Sequence, residues 1–375
     1  MTETELHIEK PVYGGYGLAF LEGKAVFVEN AIAGERVLAG IHQEKKDHCF
    51  ARIERILEPS PHRQEPPCPA FGRCGGCSYL CLSHGKELEY KKDIITDSLL
   101  RMSGINLDAM PGIATISSDR FNYRSHAGLK VRDGRIGFYR RESNDLEPLP
   151  EQGCLLLDER LNARLKEIRA GRDFSIAVDS DGLIATSLEG ETLLAERELG
   201  ITYRRGLSGF YQANRLLRPR MLETAGEYAA PAGGEEFLDI ACGVGFFSLY
   251  MAPFCRGGHG VDINRQSIEM ARRNAAENGI SNVTFSAMAA SAINPGRHRC
   301  DVIIADPPRA GLDKKTRHTI NAIEPEKLVY VSCNPSTFAR DARDFLKGGY
   351  RLERLTLIDM FPGTHHIELI SKFVK

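Results

Sequence analysis

The order of short apolar segments, glycine turns and amphipathic stretches between residues 236 and 347 limits the possible folds of this chain more than any other feature. FLDIACGVGFFSLYMA is followed by GGHGVDINRQSIEMARRNAAENG, then by DVIIADPPRAG and KLVYVSCNPSTFARDARDF. The apolar cores of these segments are short, bounded by turn residues and apolar on successive positions, as in strands covered on both faces. Helical patterns separate them, and crossovers of that length join parallel strands. The C-terminal part, from residue 206, therefore predicts a parallel sheet with helices on both faces.

A chain of 375 residues exceeds one ordinary domain. Residues 1–59 alternate β-rich runs with glycine turns, as in GGYGLAFLEGKAVFVENAIAGERVLAGI, and predict a small OB-like β barrel. The stretch EPSPHRQEPPCP breaks regular structure near residue 60. Residues 60–205 mix short strands and turns and predict an α+β middle domain, and residues 206–375 form the third domain. Within the middle segment, HGKELEYKKDIITDSLLRMSG has helical spacing over 83–103, with Leu88, Ile95 and Leu99 on one face and Gly104 as a stop. That helix is expected to pack on the third domain.

A net charge of -1 and a charged fraction of 26% exclude binding to polyanions through a global positive field. Such contacts must come from local clusters. Between Asp119 and Arg141 lie Arg120, Arg124, Lys130, Arg132, Arg135, Arg140 and Arg141, interleaved with Phe121, Tyr123, Phe138 and Tyr139. This pattern suits phosphates and stacked bases. MTETELHIEK carries no basic region followed by an apolar run, and no later stretch nears the ~18 apolar residues of a membrane span. A cytoplasmic monomer without membrane attachment is expected.

Four of the ten cysteines sit between Cys68 and Cys81, and in a reducing compartment such clustering points to metal. Cys68, Cys74 and Cys77 have C-x5-C-x2-C spacing in a glycine- and proline-shaped loop. With Cys81 they would form a compact zinc site, and with a distant fourth cysteine an iron–sulfur site. Spacing does not separate the two.

Asp239-Ile-Ala-Cys-Gly-Val-Gly245 joins an apolar strand to a helix through glycines, and Gly260-Val-Asp262 closes the next strand with a carboxylate suited to a ribose diol. The loop lacks GxGxxG, which favours S-adenosylmethionine over a dinucleotide. With FYQANRLLRPRML, ADPPRAGLD, VSCNPSTFARD and MFPGTHHIEL, this segment resembles the RNA uracil-C5 methyltransferase family, over about the last 170 residues and in order. Two departures stand out: Ala241 replaces a frequent aromatic residue, and FSAMAAS lacks an acidic residue.

The resemblance implies a Rossmann-like seven-strand methyltransferase domain that transfers a methyl group from S-adenosylmethionine to carbon 5 of a uridine. It implies Cys333 as the nucleophile and Glu368 as the base, with Gln212, Ala241, Gly243, Asp262 and Asp306 around the cofactor. It implies a 4Fe-4S cluster on Cys68, Cys74, Cys77 and Cys154, and an N-terminal module similar to the RNA-binding TRAM domain. The barrel and cysteine loop together resemble the 23S ribosomal RNA branch. A transfer RNA enzyme is the first alternative. A non-catalytic RNA-binding iron–sulfur protein, supported by the two departures, is the second.

Overall fold

The computed structural model of the chain describes residues 3–107, 112–296 and 299–375. Strands β1 (Glu3–His7), β2 (Lys10–Val12), β3 (Tyr16–Leu21), β4 (Lys24–Glu29), β5 (Arg36–Glu44) and β6 (His48–Glu58) form one sheet in the order β1-β5-β6-β4-β3-β2. Alternate side chains, including Leu6, Ala19, Val26, Val28, Val37 and Ala51, turn inward and make its core. Three register shifts between β5 and β6 bend the sheet. β1 and β2 are successive parts of one bent segment that pairs with β5 through β1 and with β3 through β2, with the Ile8 and Glu9 N–H groups donating to the Glu35 and Leu18 carbonyls, so the expected barrel is a half-barrel whose ends meet only at this bend.

The long helix α1 (His84–Ser103) follows the cysteine loop. Ser83 caps it by accepting the Lys86 N–H at 3.3 Å, and Gly104 ends it in the left-handed conformation at φ 75. Its Ile94, Ile95 and Leu99 join an apolar core with residues of the C-terminal sheet. Lys91, fully buried, lies 2.6 Å from Asp359 and 2.8 Å from Glu87. Removing that amine would leave Glu87 to Arg120 and Asp359 to His84 and break a buried ion pair, a change that costs up to about 3–5 kcal/mol.

Strand β7 (Ala114–Ile116) leaves this helix for the C-terminal sheet. Strands β8 (His126–Arg132), β9 (Arg135–Tyr139), β10 (Leu146–Pro148), β11 (Phe174–Val178) and β12 (Ile184–Thr186) form an antiparallel sheet ordered β10-β9-β8-β11-β12. Helix α2 (Glu159–Glu167) covers it through Leu161 and Leu165, against Leu129, Phe174 and Ile176. A hairpin of β13 (Leu193–Glu198) and β14 (Ile201–Gly206) leads out of this region.

The C-terminal region contains α3 (Arg218–Ala229), β15 (Glu236–Ile240), α4 (Phe246–Met251), β16 (Gly257–Asp262), α5 (Arg265–Glu277) and β17 (Val283–Ala287). It continues through β18 (Val302–Ala305), α6 (Lys314–Ile323), β19 (Lys327–Ser332), α7 (Pro335–Lys347), β20 (Arg351–Ile358) and β21 (Glu368–Val374). The sheet order is β17-β16-β15-β18-β19-β21-β20-β7, with two apolar cores packed on it. Eight strands replace the expected seven, because β7 adds parallel to the outer edge of β20 and covers its unpaired amides. The chain moves outward from β15 through β16 to β17, then returns to place β18 on the other side. That reversal opens a crevice at the C-terminal ends of β15 and β18.

Candidate active site

The crevice is lined by the loop after β15. Ala241, Gly243 and Gly245 all take positive φ, at 61, 53 and 90. The alanine adopts a conformation that costs a non-glycine residue roughly 1 kcal/mol or more. Glycine relieves the same demand at 243, where a Cβ would meet nothing within 4 Å, so the backbone there borders open space. Asp262, at the end of β16, pins the loop by accepting the Gly243 N–H at 3.0 Å and the Asn264 N–H at 2.8 Å. Asp239 lies fully buried beneath, with Oδ2 accepting the Ser248 hydroxyl at 2.5 Å and Oδ1 without a hydrogen-bond partner among the described residues. Burial, with Asp262 nearby, pushes its carboxyl up to about 7 despite the Ser248 bond. The open backbone at Gly243 and the carboxylate of Asp262 fit S-adenosylmethionine.

Three neighbouring strand ends carry the candidate chemical groups. Asp306 follows β18, Cys333 follows β19, and Glu368 begins β21. β19 and β21 are antiparallel and their pairing ends with Ser332 opposite Leu369, so Cys333 and Glu368 lie just beyond the last pair, close enough for the carboxylate to act on the thiol. Asn334 caps α7 by accepting the Ser336 N–H at 3.0 Å, and Pro335 occupies the first turn. This fixes the strand-to-helix turn that carries the thiol. Gln212, from the segment between β14 and α3, donates to Asp306 Oδ2 at 3.2 Å.

The site is crowded with acid. Glu368 is only 5% exposed, and burial followed by Asp306 raises its carboxyl well above the usual range, with Arg309 opposing. Asp306 is pushed up to about 7 by burial and then by Asp239, against the Gln212 bond. Cys333 is half-buried, and burial, Glu368 and Asp306 push its thiol up to about 12, with Arg309 pulling back. Arg309 thus acts electrostatically on both members of the pair, and its guanidinium also contacts the His366 ring at 3.2 Å. Burial and neighbouring positive charge lower His365 to about 4 and His366 to about 3, so both rings are neutral at pH 7.

The structure brings Cys68, Cys74, Cys77 and Cys154 to one cavity of about 60 Å³, walled by Phe71, Leu80, Phe138, Leu149 and Leu156. Burial first, then the neighbouring sulfurs, raises Cys74 to about 11. Cys81 does not reach the cavity and packs instead with Ile32, Tyr79, Leu82 and Tyr90. Among the described residues, no three of these sulfurs lie within 4.8 Å of one another. Tetrahedral thiolates on one zinc ion at ~2.3 Å would be about 3.8 Å apart. The wider spread in an apolar pocket fits a polynuclear cluster better than a single ion.

The basic stretch is less available than its sequence suggests. Arg120 donates to the Leu82 and Tyr79 carbonyls and to Glu87 at 2.9 Å. Arg141 stacks on Tyr16, 4.3 Å from the ring centre, and donates to the Gly14 carbonyl. Tyr123 is fully buried and donates to the Pro362 carbonyl at 3.0 Å. These three serve internal packing, and the exposed basic residues contract to Arg132, Arg135 and Arg140 around an open groove that also carries Asp133 and Asp145, with Arg132 paired to Asp173 and Arg140 to Glu147.

One residue near the thiol escapes a sequence reading altogether. Tyr13, at the β2–β3 turn of the half-barrel, donates its hydroxyl to the Cys333 carbonyl at 3.3 Å. Its only local signal is an aromatic residue before the glycine pair Gly14 and Gly15.

A doubly wound domain with a glycine loop at its switch point and a carboxylate closing the next strand has the fold and the cofactor crevice of an S-adenosylmethionine-dependent methyltransferase. The model of the tRNA (Uracil-5-)-methyltransferase family matches residues 184–372. An uncharacterized RNA methyltransferase of Aquifex aeolicus is 34% identical over 98% of this chain and 97% of its own length. The 23S rRNA (uracil(1939)-C(5))-methyltransferase RlmD of Shewanella amazonensis is 31% identical over 98% of this chain and 95% of its own. The chain belongs to the RNA uracil-C5 methyltransferase family, whose members are S-adenosylmethionine-dependent enzymes. Its fold is shared at full length with the tRNA (uracil-54, C5)-methyltransferase of Pyrococcus abyssi, solved with S-adenosyl-L-homocysteine, at a TM-score of 0.76, 22% identity and 100% coverage of both chains.

Proposed function

We propose that this enzyme methylates carbon 5 of a uridine in 23S ribosomal RNA through a covalent bond between Cys333 and carbon 6. The observation that carries the reading is the clustering of Cys333, Glu368, Asp306 and Arg309 at the end of the β19–β21 ladder, where each carboxylate and the guanidinium act on the thiol. The Cys333 thiol gives up its proton to solvent water, with Arg309 favouring the thiolate, and the sulfur electron pair adds to carbon 6. The C5=C6 electrons shift toward O4 as an enolate, and carbon 5 becomes nucleophilic. Gln212, Ala241, Gly243, Asp262 and Asp306 would hold S-adenosylmethionine, which would supply the electrophilic methyl group to carbon 5 and leave as S-adenosylhomocysteine. Glu368 then takes the carbon 5 proton, the C5=C6 bond re-forms, and the C6–S bond breaks to release Cys333. Its raised proton affinity makes Glu368 a stronger base, while Arg309 draws it toward the ionised form.

The target base must leave its stack to meet the thiol. The half-barrel and the groove around Arg132, Arg135 and Arg140 are the surfaces proposed to hold the strand. A structural 4Fe-4S cluster on Cys68, Cys74, Cys77 and Cys154 would tie the residue 68–77 loop to the middle domain; no electron transfer enters the mechanism. The enzyme is proposed to act as a cytoplasmic monomer. Among the described residues, no helix is long and apolar enough to cross a membrane. The half-barrel joined to a cysteine pocket, with the likeness to the Shewanella enzyme, favours ribosomal over transfer RNA.

The test uses 5-fluorouridine-substituted 23S ribosomal RNA and transfer RNA transcripts with cofactor. Fluorine does not leave as a cation, so the productive RNA should be trapped in a denaturation-resistant complex. Cys333→Ala should abolish trapping and turnover, and normal turnover by that variant would overturn the mechanism. Trapping of the transfer RNA alone would reverse the substrate assignment.

A further inference from the structure

The β2–β3 turn of the half-barrel reaches into the catalytic site, and its placement is tightly determined. Tyr13 is half-buried, and its hydroxyl donates to the carbonyl of the nucleophile residue at 3.3 Å across 320 residues of sequence. The same phenol is raised above its ordinary range by burial, with Arg309 opposing and Cys333 and Glu368 adding to the rise, which places it in the field of the reacting groups. Its ring meets His365 edge-on, with centroids 6.1 Å apart.

The rest of the turn is clamped on three sides. Arg141 donates to the Gly14 carbonyl. A Cβ at Gly15 would lie 2.5 Å from Ser78 Cβ and 3.3 Å from His365 Cβ, so this backbone approaches as closely as any residue permits. Ser78 in turn bonds His365 Nδ1 at 3.1 Å, and the Ser78 and Tyr79 N–H groups both donate to the Gly363 carbonyl at 3.0 Å. The turn carrying Glu368, the cysteine loop and the half-barrel therefore meet at Tyr13.

We infer that Tyr13 is a positioning residue for the methyl-transfer site, holding the Cys333 peptide so that the thiol is aimed at carbon 6. The inference rests on the reading of Cys333 as nucleophile. Within the turn after β19, the Cys333 carbonyl is adjacent to the bond about which the side chain is oriented. A donor fixed from another domain limits rotation of that peptide, and displacements of about 1 Å at a reacting atom cost on the order of a hundredfold in rate. The half-barrel then completes the site that forms the covalent bond, in addition to any part it plays in holding RNA.

Tyr13→Phe removes the hydroxyl and keeps the ring. Full-length, iron-loaded enzyme is mixed with saturating 5-fluorouridine-substituted ribosomal RNA and cofactor, and the first-order rate of adduct formation is measured. The expected result is a rate slower by roughly threefold to tenfold, the scale of one neutral hydrogen bond. RNA affinity, iron content and melting temperature should stay at wild-type values. Gly15→Ala, which displaces the turn without touching the phenol, should slow the same step. Wild-type rates in both variants, or a Tyr13→Phe change confined to RNA affinity, would overturn the role of Tyr13 while leaving Cys333 in place. Absence of any adduct in the wild-type enzyme would remove the nucleophile reading and this inference with it.

Discussion

Replacing Glu368 with glutamine should affect two steps in opposite directions. The side chain is 5% exposed at the start of β21, and glutamine has nearly the same shape, so packing should survive. Loss of a positioned general base slows the step it serves by roughly 10²–10⁴-fold. Turnover should fall by that factor, while the Cys333 adduct on ordinary RNA accumulates toward one per enzyme. The thiol should respond differently. Burial, then Glu368 and Asp306, push it up to about 12, so at pH 8 roughly one molecule in ten thousand is thiolate. A like charge at close range accounts for about a tenfold change in ionisation or more. At low pH the wild-type carboxyl is protonated, and the two proteins should alkylate alike. As pH rises through the elevated Glu368 range, the wild type gains a charge that the variant lacks. The variant's advantage in iodoacetamide labelling of Cys333 should then grow toward tenfold. Peptide mass spectrometry reads the labelling, and denaturing gels with methyl-labelled cofactor read the adduct. Turnover within tenfold of wild type, or a variant thiol less reactive than the wild type at high pH, would refute the reasoning.

Alanine at Cys68, Cys74, Cys77 or Cys154 should each lower bound iron and acid-labile sulfide, whereas Cys81→Ala should leave both unchanged; stoichiometric zinc without sulfide would point to the other site chemistry. Asp239, raised to about 7 in the folded chain, binds a proton between about pH 4 and 7 that the unfolded chain has lost. Wild-type stability should therefore fall relative to Asp239→Asn as pH rises through that window, by at most about 4 kcal/mol, and a pH-independent gap in denaturant unfolding would contradict the assignment.

Much of the C-terminal domain was readable because its signals are local. Strands apolar on successive positions, glycines before helices and a carboxylate closing the second strand are set within a few residues of one another, and the resulting sheet places Asp262 on the Gly243 amide. The motif strings also carried the family resemblance, and with it the cysteine and carboxylate candidates. The half-barrel was legible as alternation but not as a sheet whose ends meet through the bent β1–β2 segment, because edge closure depends on pairing between distant strands.

By itself, the amino-acid sequence determined which segments are covered on both faces, where the backbone must turn through positive φ, and which residue types are present for thiol chemistry. The tertiary structure alone decided that β7 leaves the middle segment to extend the catalytic sheet, that Cys154 rather than Cys81 shares a cavity with the other three sulfurs, and that Arg120 and Arg141 are taken up by internal contacts. It also brought Tyr13 to Cys333 across 320 positions. The physical reason is range: hydropathy periodicity and turn chemistry register neighbours within about a turn of helix or a strand, whereas a shared cavity, an ion pair or a hydrogen bond between domains exists only after the cores have packed.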